Sequence, residues 1–170
     1  MNNKNIFLCS IIFLGFFLRL YTLIPNFTPV FSMCMFSGMM FKKSKKMFLV
    51  PLLAMFATDM ILGIHNTIFF VYFALLIVIY IGYLNTSKSS LKILIPSIFV
   101  SNIAFFVITN FGVWLMQIGF YEKSLPGLIA CYVAAIPFFK NALLSNLLFT
   151  PILLYSYKYI EKKYPVFIST

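Results

Sequence analysis

Apolar residues run along this chain in six long blocks, at residues 6–24, 27–41, 47–64, 68–84, 91–117 and 128–157, each bounded by lysines or turn-forming residues. No block alternates apolar with polar positions, which argues against β-strands and against a barrel. A backbone that leaves water must pair its amides within its own segment, so each block is read as an α-helix. About 20 mostly apolar residues cross a bilayer. The pattern therefore predicts an all-α integral membrane protein: one transmembrane domain, a bundle of six transmembrane helices joined by short loops.

The second block is the shortest, and its length of about 22 Å falls short of a hydrocarbon core roughly 30 Å thick. The lysines decide whether it crosses or turns back. With six crossings and both the N- and C-termini cytoplasmic, Lys4, Lys42, Lys43, Lys45, Lys46, Lys88, Lys92, Lys158, Lys162 and Lys163 all fall inside, and only Lys123 falls outside. A second block that turned back would move every later loop to the other side, against the tendency of basic residues to stay in the cytoplasm. Six crossings are expected, in the inner (plasma) membrane. The opening run beginning at Ile6 has no small-x-small cleavage site and reads as a membrane helix, not a cleaved leader.

Composition sharpens this picture. The 170 residues are 62% hydrophobic and 9% charged, whereas soluble domains carry roughly 25% charged residues. The net charge of +10 would suggest nucleic acid in a soluble chain. Here the basic residues cluster between apolar runs, where they set topology and meet anionic headgroups, so the expected partner is the lipid bilayer and no nucleic acid. Cys9, Cys34 and Cys131 are widely spaced within apolar runs and read as free, packed thiols.

Polar residues inside the blocks are the candidate chemistry. In the six-crossing frame Arg19, Asn26, Thr28, Asp59, His65, Asn66, Thr109, Asn110, Trp114, Gln117 and Tyr132 all map to the outer half. Arg19 and Asp59 each stand five residues from the outer end of their block, about 8 Å deep. At equal depth they can pair, either to lock the first and third helices together or to bind a ligand as well. On the fifth block Asn102, Phe106, Asn110, Trp114 and Gln117 recur at helical spacing and form one stripe. Such a stripe is either interhelical glue or one wall of a site in which an aromatic stacks on a small ligand and amides orient it. Asp59, Gly63 and Asn66 make a shorter stripe on the third block. Lys140 falls near the bilayer midplane just after Pro137; it either snorkels to an interface or, with Arg19, leaves a surplus positive charge that suits an anionic ligand.

No Ser/His/Asp constellation, paired carboxylates, glycine-rich phosphate loop or cysteine motif occurs, so the reading is not an enzyme, with no catalytic residues, no metal site and no cofactor. His65 reads as an ordinary polar group at a loop.

The stretches Arg19-Leu20-Tyr21, Asn26-Phe27-Thr28-Pro29-Val30, Gly63-Ile64-His65, Thr109-Asn110-Phe111-Gly112-Val113-Trp114 and Ala135-Ile136-Pro137-Phe138-Phe139-Lys140-Asn141 together resemble an uncharacterised family of small bacterial multi-pass membrane proteins. In helix number, size and outer-half polarity that family is similar to the substrate-binding S-components of energy-coupling factor (ECF) transporters. The resemblance implies small-solute binding and uptake, with a transmembrane coupling subunit and ATPases as partners. S-components often carry small residues on the first helix for docking that subunit. Here the first block has only Ser10 and Gly15, and Ser32, Ser37 and Gly38 on the second offer a substitute surface. The expected substrate-binding residues are Arg19, Asn26, Asp59, Asn66, Asn110, Trp114, Tyr132 and Lys140. Two other readings stay open: a structural scaffold of the cell envelope whose polar stripes are only helix glue, and a proton-coupled carrier working through Asp59.

Overall fold

The computed structural model describes residues 3–85, 90–119 and 121–164; Lys88, counted above among the inner lysines, lies outside them. Six α-helices form, and no strand occurs among the described residues: α1 (Asn3–Phe17, continued by a 3-10 turn at Leu18–Tyr21), α2 (Val30–Met40), α3 (Lys46–Leu62), α4 (Ile68–Leu84), α5 (Leu91–Leu115) and α6 (Leu125–Lys163). Three stretches, at Lys4–Tyr21, Leu91–Leu115 and Leu125–Lys163, are long and apolar enough to cross a membrane; α2 and α4 are apolar but shorter.

The bundle wraps around α2. Every residue of α2 from Val30 to Met39 is buried, and α1, α3, α4 and α6 all pack against it. Two glycines allow the closest approach. A side chain at Gly38 would strike the backbone of Ile79 and Tyr83, and one at Gly82 would strike the backbone of Met35, so α2 and α4 touch main chain to main chain. Around this centre Leu8, Ile12 and Phe16 of α1, Ala54 and Met55 of α3, Leu75, Val78 and Ile79 of α4, and Leu94 and Ile98 of α5 complete the core. Outward faces carry large apolar side chains such as Leu14, Leu53, Phe69, Val133 and Ile152.

α2 corrects the expected depth map. The pattern places the start of the second helix at Phe27, level with the outer ends of its neighbours. Instead Phe31, in the first turn of α2, packs on Phe105 with ring centroids 4.4 Å apart, ten residues or about 15 Å before α5 ends at Leu115. Residues 22–29 make up the difference as a linker, exposed over 22–26 and buried at Pro29. Asn141 Nδ2 donates to the Pro25 carbonyl (3.0 Å) and Ser145 Oγ to the Thr28 carbonyl (2.6 Å), which pins the linker to the middle of α6. The linker turns at Ile24-Pro25-Asn26-Phe27, where the Phe27 amide donates to the Ile24 carbonyl (3.1 Å) and Asn26 adopts φ +60°. Proline at the second position and asparagine in the left-handed region at the third suit such a turn.

The burial of α2 also removes the substitute docking surface. Ser32 and Ser37 are fully buried, and Gly38 lies against α4. Ser32 belongs to an internal polar cluster: its hydroxyl donates to Asn146 Oδ1 (2.9 Å), the Thr150 hydroxyl bridges the two, and Asn146 Nδ2 faces Ser101 Oγ at 3.5 Å. These groups satisfy one another and tie α2, α5 and α6 together.

Candidate functional site

Arg19 reaches across from the end of α1 to the end of α3. One guanidinium nitrogen, Nη2, lies 2.8 Å from Asp59 Oδ1; the other, Nη1, donates to Thr58 Oγ1 at 3.0 Å and touches the Met55 sulfur. The Tyr72 hydroxyl from α4 donates to the second carboxylate oxygen, Asp59 Oδ2, at 2.9 Å. Asp59 is only 2% exposed, so the carboxylate is shielded on all sides while Arg19 keeps part of its surface open. That asymmetry matters: a paired, buried Asp59 anchors the guanidinium, and the guanidinium presents its free edge to the space beside it.

That space is a cleft of about 320 Å³ lined by Arg19, Thr28, Val30, His65, Val71 and others. A narrower hollow of about 110 Å³ shares Asn26, Phe31, Phe105 and Thr109 with it and continues between α5 and α6 to Asn102, Phe106 and Asn110. The two are lobes of one cleft, whose floor is the linker and the first turn of α2. Among the described residues no side chain caps that first turn, and its residues Val30 and Phe31 line the wider lobe, which brings the positive end of the α2 dipole close to it.

Asparagines line the narrow lobe. Asn102 and Asn110 each turn the side-chain amide back on their own helix, donating to the carbonyls of Ile98 and Phe106 at 2.8 Å. This leaves the side-chain oxygen of Asn102, in a residue 1% exposed, as a buried acceptor with no partner among the described residues.

The expected site residues divide accordingly. Arg19 and Asn26 line the wider lobe, Asn26 and Asn110 the narrow one, and Asp59 stands behind Arg19. Four others stand elsewhere. Asn66 is exposed in the turn between α3 and α4. Trp114 belongs to the helical stripe by spacing, yet its indole nitrogen donates to the Glu122 carbonyl (2.9 Å) and its ring leans on Phe111, clamping the loop between α5 and α6. Tyr132 donates to the Val107 carbonyl (2.8 Å) and backs Phe106, so it braces the cleft wall from outside. Lys140 is exposed on α6, lines neither lobe and makes no ion pair among the described residues.

Sequence reasoning missed Thr58 and Tyr72 as partners of the ion pair, and Phe31 and Phe105 as walls. Their type gives no hint, since apolar and hydroxyl residues are common throughout the chain. His65, read as a plain surface group, lines the wider lobe.

The chain matches the family described as "Family of unknown function (DUF6580)" over residues 1–167. No curated protein and no solved structure matches it.

Proposed function

The chain belongs to the DUF6580 family, and we propose that it is a membrane-embedded binding protein that takes up a small anionic solute through the cleft beside Arg19. The single observation that carries this reading is a partly open arginine, anchored by a buried carboxylate, at the wall of a 320 Å³ hollow. The uncapped start of α2 adds a second source of positive potential. A short buried helix reached through an irregular linker is also how membrane transporters place backbone at a solute site.

The proposed frame puts the cleft on the extracytoplasmic side and both termini in the cytoplasm. It is supported by the clustering of charge at the other end of the bundle. There Lys4 approaches Glu161 at 3.9 Å, Lys42 covers the Tyr83 ring, and Lys158 and Lys163 lie over tyrosines of α6. Energy would come from partner proteins, in the manner of ECF S-components, because the sequence shows no nucleotide-binding loop. The docking face for a coupling subunit would then lie on outer surfaces of the bundle instead of on α2.

A scaffold role is the second reading, favoured by the self-satisfied Ser32, Ser101, Asn146 and Thr150 cluster, which has the character of helix glue. Thermal-shift screening of the purified protein against anionic metabolites separates the two. A solute-binding protein gives a saturable rise in melting temperature with at least one compound, lost in Arg19→Gln. A scaffold gives none.

A further inference from the structure

Lys140 is a charged residue that neither the ion pair nor the cleft uses. It stands fifteen residues, or about 22 Å, from the start of α6 at Leu125 and twenty-three residues, or about 34 Å, from its end at Lys163. Its side chain is exposed, and among the described residues it has no hydrogen bond, ion pair or ring contact. Even the carbonyl of Val133, which Pro137 leaves without an amide partner, does not engage it. The surrounding face is apolar: Ile129, Val133, Ile136 and Leu144 flank Lys140 at helical spacing, and all four are exposed.

On the outside of a membrane bundle, a charge set in such a face is costly and calls for a partner. Sliding α6 along the membrane normal does not relieve it. Bringing the ammonium to water on one side takes Ile129 and Val133 out of lipid, and on the other side Leu144 and Leu148, which are exposed as well. Anionic headgroups stay at those same interfaces and meet the same obstacle. A second copy of the chain offers no carboxylate at that depth either. The three acidic residues of the sequence are Asp59, enclosed by Arg19 and Tyr72, Glu122 before the start of α6, and Glu161 in its last turn.

We propose that the Lys140 face of α6 docks a transmembrane helix of a partner protein that carries a carboxylate at the depth of Lys140. This rests on the membrane-embedded, partner-dependent reading above and names the docking face that the buried α2 cannot provide. The apolar residues on either side of Lys140 pack on the incoming helix, while the ammonium, paired away from water, selects the helix that brings the opposite charge.

The test uses full-length protein in liposomes, with a fluorophore on a C-terminal tag, and three synthetic probes. These are labelled leucine-alanine helices of about 20 residues with glutamate, glutamine or leucine at the centre. Energy transfer should show saturable association of the glutamate helix and at least tenfold weaker association of the other two. Lys140→Met should abolish the preference, and Lys140→Glu should transfer it to a lysine-centred helix, a reversal that a purely structural lysine would not give. No preference for the glutamate helix, or one that persists in Lys140→Met, overturns the proposal. So does Lys140-dependent energy transfer between two labelled copies of the protein, which would make the face a homotypic interface, or to a labelled anionic lipid in place of the peptide, which would make it a headgroup site. The solute reading is checked separately by the Arg19-dependent metabolite screen, so either can fail while the other stands. Protein that does not float with the liposomes removes the membrane reading and this proposal with it.

Discussion

Asp59 and Arg19 illustrate how one buried charge determines what its neighbour can do. With a side chain 2% exposed, Asp59 is held by the guanidinium at 2.8 Å and the Tyr72 hydroxyl at 2.9 Å. Removing only the arginine leaves that charge unmatched, so Arg19→Met should destabilise the protein by about 3 kcal/mol or more. Adding Asp59→Asn to it removes the stranded charge and keeps an acceptor for Tyr72, and should recover most of the loss. Unfolding of the two single variants and the double variant in a fixed detergent mixture measures this coupling; strictly additive losses would mean the pair does not interact. The pairing was legible in the sequence because both residues stand at matching distances from the ends of apolar blocks. Trp114 was misplaced by the same kind of reasoning. Helical spacing fixes the face on which a side chain begins, but not where a long ring ends, and its indole nitrogen found the Glu122 carbonyl instead of the cleft.

At the level of elements, the apolar blocks located all six helices, and the ends were harder to read. α6 starts at Leu125, three residues earlier than expected, because the Ser124 hydroxyl accepts from the Gly127 amide and Pro126 needs no partner for a nitrogen without hydrogen. That cap was present in the sequence as Ser-Leu-Pro. A shift of the same size in the other direction occurs at α2, predicted to begin at Phe27 and beginning at Val30. Leu23, Ile24 and Phe27 carry apolar character across the linker and obscure where the helix starts, although residues 22–26 are exposed. The turn at Pro25 and Asn26 was the available signal, and it is open to test. Asn26 holds φ +60°, so Asn26→Gly should leave stability nearly unchanged, while Asn26→Ala should cost about 1 kcal/mol. The difference in melting temperature between these two variants checks it; equal stability would mean that the linker adopts another conformation.

For the molecule as a whole, the account depends on a division between its two ends. Lysines and tyrosines gather where α1 begins and α6 finishes, while the opposite end holds Arg19, His65 and the cleft. What the sequence could not convey was the hollow itself, because a cavity is set by how side chains from the linker, α2, α5 and α6 fail to fill the space between them. Thr109 lines both lobes and is the natural position for a reporter. In a protein whose Cys9, Cys34 and Cys131 have been replaced, Thr109→Cys should react with a membrane-impermeant, negatively charged thiol reagent added to the outside of intact cells. A cysteine at Thr109 that resists the reagent from outside, or reacts only when the cytoplasmic face is exposed, would contradict an outward-open, positively charged cleft.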